Sequence, residues 1–227
     1  MGGPATSEPP GAAAGVYNAP MTVAPILALV LAAEGVPFHT LEGGETLGAG
    51  GTVAAFAGGF SSLSAAYAQG LSDAQDWGLR LDADWLTSEL FLGGLYRQLV
   101  WRSGDVLGAA RLRAGLYGDL GASYAAKKNR SDGGLEVVPG LGSSGHLLGG
   151  ILSLEGEVPV FVTFSRGGGF AIGLKGATAF EAPVGKDLTL GGRLGVQALW
   201  STGGAPFAPD SPRASYEVML LLTYQLL

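Results

Sequence analysis

The sequence predicts an all-β protein, an antiparallel up-and-down β-barrel that crosses a membrane with about ten strands. Apolar residues recur at every second position from about residue 45 onward. This is the period of a β-strand, because successive side chains point to opposite faces. The alternating segments are long, and aromatic residues bracket their apolar faces. The other faces carry Gly, Ser, Thr and single charges, which suit the polar interior of a membrane barrel better than the bulky core of a soluble sandwich.

The alternation is clearest between Trp77 and Trp85, where the odd-numbered residues are apolar and the even-numbered ones are small or charged. The same pattern returns over residues 106–124, 188–200 and 216–226. Strands of soluble proteins usually have about 5–6 residues, whereas a tilted membrane-spanning strand needs about 9–11. The length of these segments therefore favours the membrane barrel.

Aromatic residues are predicted to mark the two edges of the lipid-facing surface. Trp77 and Trp85 lie eight residues apart, as do Tyr216 and Tyr224. At about 3.3 Å per residue and a tilt near 40°, this spacing spans roughly 20 Å along the membrane normal, close to the apolar band of about 25 Å. The predicted lipid-interface aromatics are Trp77, Trp85, Trp200, Tyr216 and Tyr224.

The composition excludes several other classes of protein. The chain has 227 residues, of which 40 are Gly, 14% are charged and 47% are hydrophobic. It is too hydrophobic for a disordered chain and lacks the three-residue period of collagen. Its longest clean apolar run, Val23 to Ala33, is about half as long as a membrane-spanning helix requires.

Charge and cysteine content narrow the chemistry further. The 13 Lys and Arg residues against 19 Asp and Glu residues give a net charge of −6, which offers no basic surface for nucleic acid. Cysteine is absent, so thiol catalysis, thiolate metal sites and disulfides are excluded. The two histidines do not form a metal site by themselves. We expect no nucleic-acid partner, no metal and no cofactor.

From about residue 45 to the end, the chain resembles a small bacterial outer-membrane β-barrel protein. The last strand of that family alternates and usually finishes on an aromatic residue; here the alternation runs from Tyr216 to Leu226, and the chain ends on Leu227. The resemblance is one of pattern and involves no motif of a particular subfamily. It implies integral insertion in the bacterial outer membrane, with membrane lipids as partners.

Residues 1–33 are predicted to be a leader. Thr22 to Ala33 form an apolar stretch that ends in small residues, and its length of about 12 residues is typical of a secretory signal. The basic start of such a signal is missing, because the first Lys or Arg is Arg80; translation from Met21 would supply an amino-terminal charge instead. The alternative is a buried hydrophobic plug or short helix at the end of the barrel. Residues 34–45 are assigned to a short periplasmic segment and residues 46–227 to the barrel.

Ten strands are predicted, at residues 46–57, 60–70, 76–86, 89–101, 106–124, 147–155, 158–165, 169–181, 187–200 and 216–226. Such barrels have an even number of strands, short periplasmic turns and longer outer loops. The two longest predicted connections, 125–146 and 201–215, then both lie outside. The predicted strands 147–155 and 158–165 share one apolar phase and could form a single strand, but that would give nine strands, which the even number rejects. The alternative is a barrel of eight strands, in which the first two Gly/Ala-rich segments are not strands.

Eleven charged residues fall on the predicted interior faces: Arg80, Asp82, Asp84, Arg97, Arg111, Arg113, Asp119, Glu155, Lys175, Arg193 and Glu217. Charges in a narrow lumen must pair, because an unpaired buried charge is strongly unfavourable. We therefore expect a lumen plugged by salt bridges, with a polar conduit or a ligand pocket as the alternative. The interior of a barrel of this size is largely filled by its own side chains.

The large outer loop is predicted to carry Lys127, Lys128, Arg130 and His146. The basic cluster is a candidate contact for lipopolysaccharide phosphates, with an ordinary solvated loop as the alternative. His146 follows two serines, and His is the usual general base for a hydroxyl or a water. No motif with a checkable spacing accompanies it, so we expect a solvated loop histidine and no catalytic residue.

These observations favour an outer-membrane barrel with a structural or binding role, whose outer loops make contacts, and they favour no enzyme. A narrow pore or transporter for small or hydrophobic solutes and a membrane-embedded lipid hydrolase are the alternatives. A soluble binder similar to the lipocalins is the fallback, and it requires the face of Trp77 and Trp85 to point inward.

Overall fold

The computed structural model describes residues 39–60, 62–85, 89–119, 133–164, 168–203 and 213–226. These residues form eleven strands: β1 Thr52–Phe60, β2 Ser62–Ser72, β3 Gln75–Asp84, β4 Glu89–Ser103, β5 Val106–Asp119, β6 Gly133–Leu147, β7 Gly150–Glu157, β8 Val160–Thr163, β9 Gly169–Pro183, β10 Leu188–Gly203 and β11 Arg213–Gln225. Among the described residues, no helix is long and apolar enough to cross a membrane.

The strands form one closed antiparallel barrel. Successive strands pair from β1 to β7 and from β9 to β11, and β11 pairs with β1 to complete the ring. The short strands β7 and β8 share one place in the wall, because both pair with β6 on one side and with β9 on the other. The barrel therefore has ten strand positions, and the predicted antiparallel β-barrel of about ten strands is confirmed.

The wall position shared by β7 and β8 is interrupted at Val158 and Pro159. Proline has no N–H group and cannot donate to the ladder. The chain nevertheless stays attached on both sides, since the Val158 amide donates to the Pro139 carbonyl at 2.9 Å and the Gly173 amide donates to the Pro159 carbonyl at 2.8 Å. Residues 147–155 and 158–165 continue one alternation of apolar residues because β7 and β8 occupy the same position in the wall.

The prediction that residues 125–146 form one outer loop is wrong for residues 133–146, which lie in β6. The strand was missed because it is rich in Gly and Ser and contains Pro139, all of which are depleted in ordinary strands or typical of loops. The predicted number of ten strands nevertheless agrees with the ring. One strand, β6, was missed, and two of the predicted strands occupy a single position in the wall. The two errors cancel in the total.

The antiparallel order gives the barrel two unlike ends. The connections at residues 73–74, 104–105, 148–149 and 184–187 are short, and together with the start of β1 and the end of β11 they form what we call the turn end. The opposite strand ends, which lead into the connections at residues 61, 85–88, 120–132, 164–168 and 204–212, form what we call the loop end. The longer connections therefore join strand ends on one side of the barrel, a distribution typical of barrels that cross a membrane.

Candidate functional site

The segment that precedes β1 folds into the turn end of the barrel, and we call residues 39–51 the plug. Leu41 and Leu47 of the plug are buried and pack in one cluster with Val53 and Ala68 of the wall. The plug residue Thr40 is also fully buried. The first strand starts at residue 52, and not at 46 as predicted, because the chain turns inward at this point.

One arginine of the wall holds the plug and joins three carboxylates. Arg193 pairs with Glu42 of the plug, with Glu155 at 2.9 Å and with Glu217 at 2.7 Å. Arg111 pairs with the same Glu155. Burial raises the pKa of Glu42, but the nearby guanidinium groups of Arg193 and Arg111 lower it by more, so that its net pKa is below the usual value. Glu42 is therefore a carboxylate at neutral pH.

Side chains of the wall also satisfy the backbone of the plug. The amide of Gly43 donates to Glu155 at 2.7 Å, and the amide of Leu47 donates to Asp76 at 2.9 Å. Arg97 donates to the carbonyl of Thr40 at 3.0 Å and pairs with Asp76. A buried backbone group without a partner would be unfavourable, so these side chains allow a segment without secondary structure to lie inside the barrel.

Two glycines allow the plug to approach the wall closely. Gly43 has φ +72°, a left-handed conformation that favours glycine. A Cβ on Gly44 would overlap the carbonyl oxygen of Leu107 and would lie 2.8 Å from the carbonyl oxygen of Gly142. Both neighbours are backbone atoms of paired strands, which cannot turn aside as a side chain would. The plug therefore fits this end of the barrel through its backbone.

Replacement of Gly44 by Val is expected to displace the plug and to expose the bonds after Glu42 and Glu45. Cleavage of the folded protein in neutral detergent micelles by a glutamate-specific protease, followed by mass spectrometry, should then be about tenfold faster at these two sites, since cleavage follows the population of the open form. Gly156→Val is the matched control, because an added Cβ at Gly156 meets nothing within 4 Å. Equal cleavage of both variants would contradict a tightly seated plug.

The structure brings most of the eleven predicted lumen charges into ion pairs. Arg80 pairs with Asp82 at 2.8 Å, and Arg113 lies 3.4 Å from the same Asp82. Lys175 pairs with Glu217 at 2.9 Å. The remaining pairs are those of Arg97, Arg111, Glu155 and Arg193 described above. Asp84 is half-buried at the end of β3; Asp119 ends β5, and its side chain lies outside the described set.

Several acidic partners were not predicted. Glu136 pairs with Arg113 at 2.6 Å and was missed because β6 was interpreted as a loop. Glu42 was assigned to the periplasmic segment, and no sequence pattern around it marks it as a partner of a lumen arginine. Glu181, which accepts hydrogen bonds from Thr40 and Thr223, ends a predicted strand. The alternation of Leu135, Val137 and Leu141 with small or acidic residues would have revealed the first of these.

The predicted interface aromatics all lie on the outside of the barrel. Trp77, Trp85, Trp200, Tyr216 and Tyr224 are exposed; Trp77 lies near the start of β3, and Trp85 follows its last residue. They belong to a set of 38 exposed large hydrophobic side chains among the described residues. The apolar surface of the molecule is therefore its exterior.

The predicted outer-loop residues lie in two different places. Lys127, Lys128 and Arg130 lie outside the described residues. The prediction that His146 belongs to the outer loop is wrong: it lies in β6 at the turn end, next to the hairpin at residues 148–149. The wrong placement has the same cause as the missed strand.

His146 lies close to the plug residue Glu45. Burial raises the pKa of Glu45, and the neighbouring His146 lowers it by less, so that the net pKa of Glu45 is above its usual value.

The loop end holds a cavity of about 370 Å³. Ser62, Asp84 and Glu89 lie at its mouth, at strand ends that face the loops. Arg80 and Met219 line both this cavity and the narrow space beside the plug, so they form its floor. The described part of the barrel is thus a cup, closed at the turn end and hollow at the loop end.

Fold and site together define the class as a closed antiparallel β-barrel with a plugged, charge-paired lumen. Neither protein-family models nor curated proteins gave a match to this chain.

Proposed function

We propose that this chain is an integral β-barrel of the bacterial outer membrane, with a closed lumen and a structural or binding role. The observation that supports this most strongly is the inversion of the usual polarity of a folded protein. Large apolar side chains such as Leu194, Val196 and Leu220 lie exposed on the outside, whereas arginines and carboxylates lie inside. A soluble monomer rarely exposes a contiguous apolar surface larger than a few hundred Å².

A lipid bilayer gives this arrangement a physical reason. Hydrocarbon accommodates the apolar exterior, and a closed ring of strands leaves no unpaired sheet edge for the lipid to solvate. The soluble lipocalin-like fallback requires Trp77 and Trp85 to point inward, but both are exposed on the exterior. We therefore favour the membrane barrel over the soluble binder.

The plug supports a closed lumen over the alternative of a narrow pore. Thr40 and Leu47 are buried within the turn end, and Glu42 is anchored by Arg193. The smaller spaces around the plug measure only about 20 and 30 Å³. A void of this size holds about one or two waters and does not form a path for a hydrated solute.

No observation favours the lipid hydrolase. The hydroxyl of Ser144 accepts a hydrogen bond from the amide of Gly44 at 2.8 Å and lies 3.0 Å from the hydroxyl of Ser153. His146 lies at the end of the same strand and is exposed. We assign Ser144 to the part of the wall that binds the plug and propose no catalytic role for it. Contact of the basic cluster at 127–130 with lipopolysaccharide remains a prediction for the loop end.

Fractionation and electrical recording test this function directly. We expect the chain, expressed in a Gram-negative host, to be recovered with outer membranes and to migrate faster in unboiled than in boiled gel samples, because closed barrels resist detergent unfolding. In planar bilayers the folded protein should show no steady conductance. Recovery as a detergent-free soluble monomer would overturn the membrane assignment, and a steady conductance would instead support the pore.

A further inference from the structure

The wall of the barrel has a step at the loop end, between β1 and β11. Strand β11 pairs with β1 only as far as Val218, which lies opposite Phe60, but it pairs with β10 as far as Arg213. At about 3.3 Å per residue, the start of β11 extends roughly 16 Å beyond the end of β1. Strands β9 and β10, by contrast, end level with each other at the loop end. We call the edge of β11 over residues 213–217 the step.

The loop-end cavity reaches the outer surface of the barrel at the step. Its lining includes Phe60, Val196 and Tyr216, which are exposed on the outer face. It also includes Glu217 and Met219, which face the lumen. Phe60 and Tyr216 stack on each other with ring centroids 5.7 Å apart. The cavity is therefore continuous with the apolar exterior at this part of the rim.

The cavity has the size of a small-molecule site and apolar surface of its own. Its volume of about 370 Å³ lies within the range of roughly 300–1,000 Å³ typical of ligand pockets. The buried side chains of Phe91, Phe161 and Leu199 contribute to its wall. A ligand that enters at the step thus finds both apolar and polar surface inside.

Each charged group of the described lining already has a partner. The ion pairs are Arg80–Asp82, Arg113–Glu136, Lys175–Glu217 and Arg193–Glu217, at 2.6 to 2.9 Å. Asp84 and Glu89 at the mouth also interact with other groups. A charged ligand would gain a partner only by taking one from these groups, and a lumen charge left without its partner is unfavourable. The lining therefore favours an uncharged ligand.

The step also presents backbone groups that suit a ligand with hydroxyls. Over residues 213–217, the side of β11 that faces away from β10 has no described strand to pair with. Lipid chains cannot satisfy such backbone groups, whereas a hydroxyl both donates and accepts hydrogen bonds. Hydroxyls can also hydrogen-bond to the guanidinium and carboxylate groups of the lining while the ion pairs stay intact. The exposed rings of Phe60 and Tyr216 next to the step suit a hydrocarbon chain.

We propose that the loop-end cavity takes up an uncharged, hydroxyl-bearing single-chain amphiphile from the lipid layer through the step between β1 and β11. The hydroxylated head group lies among the ion pairs and along the step, and the chain lies on the outer face beside Phe60, Val196 and Tyr216. This inference rests on the proposed function, since it assigns a ligand class and a route of entry to the binding role of the barrel.

Photo-cross-linking in lipid vesicles tests the site. The full chain is folded in phosphatidylcholine vesicles that contain 1-O-decylglycerol with a diazirine beside its head group, and cross-linked residues are located by mass spectrometry. We expect cross-links at Glu217 or Met219 in the cavity, which an excess of unlabelled 1-O-decylglycerol lowers about fivefold or more because both compete for one site. Cross-links at Leu194 and Leu220, which are exposed on the outer face, should not saturate. Unsaturable labelling at all four positions would show general lipid contact only and would overturn the proposal.

Two comparisons test the class of ligand and the route. Decylammonium and decanesulfonate, at the same content in the membrane, should lower the cavity cross-links less than about twofold, because a charged head group would have to break an ion pair. A photoreactive glycerol without the chain should not label the cavity. Equal competition by either charged probe would overturn the ligand class, and equal labelling by the chain-free probe would overturn entry from the lipid layer.

A filled cavity gives the matched variant. The hydroxyl of Ser62 lies 3.9 Å from the sulfur of Met219 just inside the step, so Ser62→Trp should occupy the space and lower the cavity cross-links about fivefold or more, since a close-packed site leaves no room for the ligand. Ser103→Trp is the control, because Ser103 is exposed at the turn end of β4. Both variants are first checked for heat-modifiable migration. Equal loss of cross-links in both variants, or no loss in either, would overturn the assignment of the site.

The two proposals fail in different ways. A chain that migrates as a heat-modifiable barrel but shows no saturable labelling of the cavity overturns the ligand assignment and leaves the membrane barrel intact. A chain that is soluble and monomeric without detergent overturns both.

Discussion

Replacement of Arg193 by Met is expected to lower the free energy of unfolding by about 3–5 kcal/mol, the usual cost of removing one partner from a buried ion pair. The side chain of Arg193 is 4% exposed and contacts Glu42, Glu155 and Glu217. Without the guanidinium these carboxylates lose a common partner inside the barrel. Met preserves most of the apolar stem, so the loss reports on charge and not on volume. Urea unfolding in lipid vesicles, followed by tryptophan fluorescence, measures the change.

Arg102→Met is the control for Arg193→Met. Arg102 is exposed near the turn end, and exposed substitutions usually change stability by less than about 0.5 kcal/mol. Neutralisation of Glu42 in the Arg193→Met background, as Glu42→Gln, should recover part of the lost stability because the two residues are directly coupled. Similar losses for both arginine variants, or no recovery in the double variant, would contradict a role for Arg193 as the centre of the lumen network.

Replacement of Leu220 by Arg is expected to cost about 2–4 kcal/mol when the barrel is embedded in a bilayer, the value for a basic residue on the lipid face near the midplane. Leu220 lies near the middle of β11 and is 71% exposed on the outside. The same substitution on the surface of a soluble protein would be nearly neutral. Unfolding in vesicles, measured as for the arginine variants, gives the cost.

Leu148→Arg separates the effect of the membrane from the effect of exposure. Leu148 is 68% exposed, close to the value for Leu220, but it lies in the hairpin at the turn end. In a bilayer its replacement should cost only about 0–1 kcal/mol, because the penalty for a basic residue falls toward the interface. If the two substitutions cost the same, the exterior of the barrel does not face hydrocarbon.

The alternation of apolar and polar residues along the chain predicts those strands whose outer face needs no particular partner. The segment from Trp77 to Trp85 was predicted as a strand with an apolar outer face, and the structure has β3 over Gln75–Asp84 with both tryptophans exposed. The outer face of a barrel strand contacts a uniform medium and needs no particular partner. A two-residue period in the sequence is therefore sufficient to identify it.

Strand β6 shows where this local signal fails. Its interior positions include small or acidic residues, among them Gly134, Glu136 and Ser144, and Pro139 interrupts its outer face. These residue types are typical of loops when judged from the chain alone. They form a strand here because β5 on one side and β7 and β8 on the other supply the hydrogen bonds.

The sequence alone determined that the chain forms long amphipathic strands with charges on one face, because strand period and residue type are local properties. Only the tertiary structure decided which charged side chains pair and which segment fills the turn end of the barrel. Glu42 and Arg193 are 151 residues apart in the chain, and the plug has no period that would mark it. The amides of Gly43, Gly44 and Leu47 donate to side chains of the wall that come together only in the closed ring, namely Glu155, Ser144 and Asp76. For this reason neither the plug at residues 39–51 nor the hollow loop end could be predicted from the order of the residues.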